Sequence, residues 1–112
     1  MLAPIPFNGT DGAVALDREQ IPHEAALRPR MAQQAAATNV DLAWMAVKQD
    51  SYRVDFNRLL GRTNASSVAY TVTYVRTDTA LTNLLLKVGS DDHAKIYLNG
   101  EEVYRWVEPR GW

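Results

Sequence analysis

The chain has no cysteine, which removes disulfides, thiolate metal ligands and thiol nucleophiles together. No apolar run approaches the roughly 18 residues that a membrane span needs. The opening stretch MLAPIPFNGTDG lacks the charged region and apolar core of a signal peptide. Charge of one sign is scarce too: 12 basic against 13 acidic residues leave a net charge of −1. The basic density of a surface that tracks phosphates is missing, which argues against nucleic-acid binding. No G-x-S-x-G, H-E-x-x-H or P-loop pattern occurs, and there is neither an internal repeat nor a low-complexity tract. Proline is almost confined to the start, with Pro4, Pro6, Pro22 and Pro29 making four of five.

What is present is the composition of one globular domain: 112 residues, 46% hydrophobic and 22% charged, near the commonest domain size. The prolines, with Gly9 and Gly12, make residues 1–30 irregular, because proline removes a ladder donor and restricts the residue before it. Arg30 to Ala37, RMAQQAAA, is the one stretch of strong helix formers and predicts a single short helix. Residues 1–38 therefore read as an irregular segment packed on a domain that runs from 39 to 112.

From Asn39 the pattern is one of strands. VDLAWMAVK (40–48) has strand-like flanks, and YRVDF (52–56) alternates with Tyr52, Val54 and Phe56 on one face. SVAYTVTYVRT (67–77) is the strongest strand, with Val68, Tyr70, Val72 and Tyr74 on one side. TNLLLKVG (82–89) places Leu84, Leu86 and Val88 inward by period two. AKIYLNGEEVYRW reads as a hairpin around Asn99-Gly100, with Ile96 opposite Val103 and Tyr97 opposite Glu102 for a two-residue turn. Trp44, Tyr70 and Tyr74 are expected in the core. Short antiparallel strands of this kind predict an all-β, antiparallel β-sandwich.

The stretch from Ser67 to Gly111, with its YTVTYV strand, its LLLKVGSDDHAKIYLNGEEV hairpin and its final RG corner, resembles a galactose-binding-like, jelly-roll β-sandwich module of bacterial secreted proteins. PA14 domains share a similar SDDG and NG hairpin feature. The resemblance implies a non-catalytic accessory module, secreted or periplasmic, that binds carbohydrate weakly or packs against a partner domain or a second copy. The sequence departs from it twice. His93 stands where such modules carry glycine, and the chain stops at Trp112 before the strands that close those sandwiches. The module thus reads as incomplete, and an uncovered strand edge predicts an oligomer or a larger assembly.

Ser90, Asp91, Asp92 and His93 fall where one strand ends and the next begins. One reading is a turn, since Ser and Asp side chains bond nearby backbone groups. The other is a calcium site at Asp91 and Asp92, because paired carboxylates suit a cation that takes about six to eight oxygens. A zinc site is weaker, with only His23 as a second imidazole. Adjacent Ser90, Asp91 and His93 cannot readily form a catalytic triad, and neighbouring carboxylates do not span a glycosidase cleft. Tyr104 and Trp106 share a face and Tyr97 lies on the neighbouring strand. Facing outward, with Asp91, Asp92 and His93, they would line a carbohydrate site; facing inward, they would be core. NGT (8–10) and NAS (64–66) match the glycosylation pattern, but Asn8 and Gly9 serve equally well as a turn.

Overall fold

A computed structural model describes residues 1–112 except 2, 3, 8, 10, 38, 39, 62, 64 and 112, and leaves out the side chains of 36, 37, 40 and 41. The strands are β1 (Ile5–Pro6), β2 (Gln34–Ala37), β3 (Val40–Ala43), β4 (Ser67–Val68), β5 (Ala94–Leu98) and β6 (Glu101–Trp106), with helices α1 (Gly12–Asp17) and α2 (Phe56–Leu60) and a 3₁₀ turn at Glu24–Ala26. The expected all-β sandwich does not form. Among the described residues there are three separate two-stranded sheets, β1–β4, β2–β3 and β5–β6, all antiparallel.

The departures have local causes. α2 begins where a strand was expected because Asp55 caps it: its Oδ1 accepts from the Arg58 N–H at 3.0 Å, and Gly61, at φ 64°, ends the helix in the left-handed conformation. An aspartate before the first turn and a glycine after the last satisfy orphan backbone groups that a strand would leave exposed. Of the face proposed for that strand, Tyr52 is almost fully exposed and only Phe56, inside α2, is half-buried. The expected helix over 30–37 is replaced by β2, whose residues 34–37 pair with 43–40. A run that short is marginal as an isolated helix, and ladder bonds to β3 outweigh the propensity of alanine. α1 is capped in the same manner as α2, with Asp11 Oδ1 accepting from the Ala13 N–H at 2.9 Å.

The core joins the N-terminal stretch to the β2–β3 hairpin. Ile5, Ile21, Ala35 and Trp44 are buried together, and Leu27, Leu42, Tyr70 and Val72 pack on them. Pairing extends beyond the strands: the Ala32 N–H donates to Trp44 O at 2.8 Å, the Met45 N–H to Met1 O at 2.8 Å, and the Met1 amino group to Met45 O at 2.7 Å. Trp44 and Tyr70 thus take core positions, whereas Tyr74 is 63% exposed, with its hydroxyl donating to Pro29 O at 3.3 Å.

The two strands expected at 67–77 and 82–89 are the largest discrepancy. Only Ser67 and Val68 enter a ladder, and residues 69–89 form neither helix nor sheet. Alternation survives in the burial of Tyr70 and Val72 against exposed Thr71 and Thr73. Beyond that most of the segment's large apolar side chains are uncovered: Val75, Leu81, Leu84, Leu85 and Leu86 are all exposed. The expected inward placement of Leu84 and Leu86 is therefore overturned, while Val88 is half-buried. Among the described residues no backbone–backbone hydrogen bond reaches 69–89.

Candidate functional site

The β5–β6 hairpin forms as the Asn99-Gly100 signal predicts. Both residues have positive φ, 51° and 92°, as a type I′ turn requires. Tyr97 pairs with Glu102, but a register shift follows and Ile96 pairs with Tyr104, not Val103. This bulge decides where the hairpin's side chains go.

Tyr97 and Lys95 turn toward the N-terminal stretch and meet Glu24, whose side chain is almost fully buried. Glu24 Oε1 accepts from the Tyr97 hydroxyl at 2.8 Å and ion-pairs with Lys95 Nζ, while Oε2 accepts from the Tyr70 hydroxyl at 2.6 Å. Lys95 Nζ also donates to Leu16 O at 2.7 Å, and the Gln20 N–H donates to the Tyr70 hydroxyl at 3.2 Å. Burial and the Glu24 carboxylate together push the Tyr70 and Tyr97 phenols up. For Lys95, desolvation pulls the ammonium down, but hydrogen bonds to Glu24 and Tyr97 and the charge of Glu24 outweigh it and leave the group raised. Among the described residues no buried side-chain polar atom in the molecule lacks a partner. A network satisfied this completely ties three chain segments together; it offers no free group to a substrate.

Tyr104 and Trp106 face a second cluster built on Arg110. The guanidinium lies 4.3 Å from the Trp106 ring centroid. Its Nε and Nη2 donate to Ser90 Oγ at 3.1 and 2.7 Å, and Nη2 also donates to the Tyr104 hydroxyl at 2.8 Å. Ser90 Oγ donates to Asp92 O at 2.9 Å, and the Asp92 N–H donates to Arg110 O at 2.8 Å. The SDDH stretch is thus a turn clamped by the RG corner, with Asp92 itself at φ 62°. Asp91 and Asp92 are exposed. Among the described residues no group of three or more His, Asp or Glu could hold a metal ion.

His93 is not the residue with positive φ at this turn; Asp92 is. The imidazole instead lies over the start of α1, where a Cβ built on Gly12 would stand 2.7 Å from its Cε1 and Nδ1. The structure therefore unites Tyr104 and Trp106 with Ser90 and Arg110, and sends Tyr97 and His93 elsewhere. Sequence reasoning had not singled out Glu24, Lys95 or Arg110. A glutamate beside a proline-marked turn gives no sign of burial, and Arg110 stands out in the sequence only as half of an RG corner.

A third feature is apolar. A groove of about 350 Å³ runs between Met31, Met45, Val47, Val54, Val72 and Tyr74, and Tyr74 lies within the exposed run from Thr73 through Leu86. No helix among the described residues is long and apolar enough to cross a membrane. No protein-family model, curated protein or solved structure matches the chain.

Proposed function

We propose that the chain is a non-catalytic association module that covers residues 69–89 and the adjoining groove by packing against a second copy of itself. One observation carries this reading: the stretch richest in strand-forming residues has no ladder partner and exposes three successive leucines, Leu84, Leu85 and Leu86. Consecutive apolar residues belong to strands covered on both faces. Contiguous exposed apolar surface of this kind marks an association site, and unpaired backbone groups favour a polypeptide partner that supplies donors and acceptors. A net charge of −1 leaves little long-range repulsion between copies.

The test is solution mass across concentration, by sedimentation. The expected result is a rise from the 12.5 kDa of one chain toward twice that value, together with amide protection appearing in 69–89. A species that stays at one-chain mass at every concentration overturns the reading.

Weak carbohydrate binding is the second reading, favoured by Trp106, which is 37% exposed and lies against the Arg110 guanidinium that Ser90 and Tyr104 hold. Its stacking surface is the indole face opposite the guanidinium. Calcium at Asp91 and Asp92 would serve this reading by stiffening the turn, with most ligands drawn from water and backbone. Both readings go with a secreted or periplasmic accessory module.

A further inference from the structure

We propose that Arg110 anchors a binding site for a singly charged carboxylate at the corner formed by Ser90, Tyr104 and Trp106. The site is independent of the association surface, since neither Arg110 nor its three neighbours lies within 69–89.

Among the described basic residues, only Lys95 and Arg110 are less than exposed. Lys95 has Glu24 as its counter-charge. Arg110 has no carboxylate at ion-pairing distance among the described residues. Arg105, on the same hairpin, shows the contrast, for it is paired with both Glu102 and Asp17. A partly desolvated cation without a counter-charge is unusual, because burial disfavours an unpaired charge.

The donors of Arg110 account for what is missing. A guanidinium carries five N–H donors in a fixed plane. Those on Nε and Nη2 are taken by Ser90 Oγ and the Tyr104 hydroxyl. Both acceptors are neutral, so they orient the group without cancelling its charge. The Trp106 ring covers one face and blocks rotation of the plane. The two hydrogens on Nη1 have no partner among the described residues. The group is therefore held in place, with its charge and one nitrogen turned to a ligand; this is the preorganisation that makes an arginine–carboxylate contact selective.

The sign and size of the ligand follow from the surroundings. Asp91, Asp92 and Glu108 are exposed and close in sequence, so a multiply charged phosphate would meet like charge that a single carboxylate tolerates better. Carboxylate is the shared chemistry of a simple organic acid and an acidic sugar. In the second case the Trp106 ring would add a stacking surface.

The experiment is a titration of ¹⁵N-labelled chain with sodium acetate, sodium galacturonate, galactose and sodium chloride at matched ionic strength. The Arg110 Nε–Hε and Trp106 Nε1–Hε1 signals report the site directly. Saturable shifts with both carboxylates in the millimolar range, and none with galactose or chloride, are expected. A galacturonate midpoint several-fold below that of acetate assigns a sugar acid; equal midpoints assign the carboxylate alone. Arg110→Gln should abolish the Trp106 response while the hairpin amides hold their positions, and if that variant unfolds the wild-type titration decides. Tyr104→Phe, which keeps the charge, should retain binding. Absence of saturation with either carboxylate, or equal shifts with chloride, overturns the site.

Discussion

At the scale of the residue, the most consequential position is Glu24. A carboxylate buried with Lys95, Tyr70 and Tyr97 makes three segments depend on one side chain. Glu24→Gln keeps the shape but leaves the ammonium without its counter-charge, and removing one partner of a buried ion pair costs about 3–5 kcal/mol. Urea unfolding should show that loss, and Lys95→Met should cost less in the Glu24→Gln background than in the parent, because the pair is coupled. A loss near zero would mean that water reaches the pair. The same network fixes a pH dependence. Tyr70 and Tyr97 are raised above an ordinary phenol value of 10.0, and Lys95 above 10.5. Each group holds its proton more tightly folded than unfolded, so its stabilisation is complete below the unfolded values and is lost as pH rises through the folded ones. The urea midpoint should therefore hold steady from neutral pH to about 9.5 and fall above about 10. Tyr70→Phe should lower the plateau and flatten the fall; an unchanged alkaline slope in that variant would remove Tyr70 from the linkage.

At the scale of the element, the hairpin shows what sequence can carry and where it stops. Asn99 and Gly100 need positive φ, and that local requirement was legible. The bulge that pairs Ile96 with Tyr104 was not, since it depends on which side chains find partners across the molecule. The Asp55 and Gly61 caps of α2 were visible in principle but were outweighed by the alternation of Tyr52, Val54 and Phe56. The two-stranded sheets defeated the sandwich expectation because alternation specifies a strand's faces and not the neighbour that covers them. His93 gives an element-scale prediction. Its ring fills the space beside Gly12 at the start of α1, so Gly12→Ala should displace the imidazole from its place against the helix. Overpacking of this kind costs about 1–3 kcal/mol, read as a lower melting temperature. His93→Gly should relieve the defect in the double variant, and a double variant no more stable than Gly12→Ala would show that the contact is not what limits position 12.

At the scale of the whole molecule, the question is what holds 112 residues together. Among the described residues five hydrophobic side chains are buried, while sixteen large ones are exposed, a balance that leaves much of the apolar driving force unused. Leu86 separates a self-sufficient chain from one completed by a copy. Buried in a sandwich, Leu86→Ala would cost about 2–5 kcal/mol. Sixty per cent exposed, as it is here, it should change the dilute chain's stability by less than about 0.5 kcal/mol. On the proposed association the leucines would count. A copy that binds only the folded state raises the melting temperature with concentration, so the parent should melt higher at high concentration than at low. The double variant Leu84→Ser with Leu86→Ser should melt at one temperature throughout and sediment at one-chain mass. If both chains melt alike at every concentration, the leucines have no copy to bury them. If the double variant instead loses its circular dichroism when dilute, those side chains sustain the single chain, and the association reading falls.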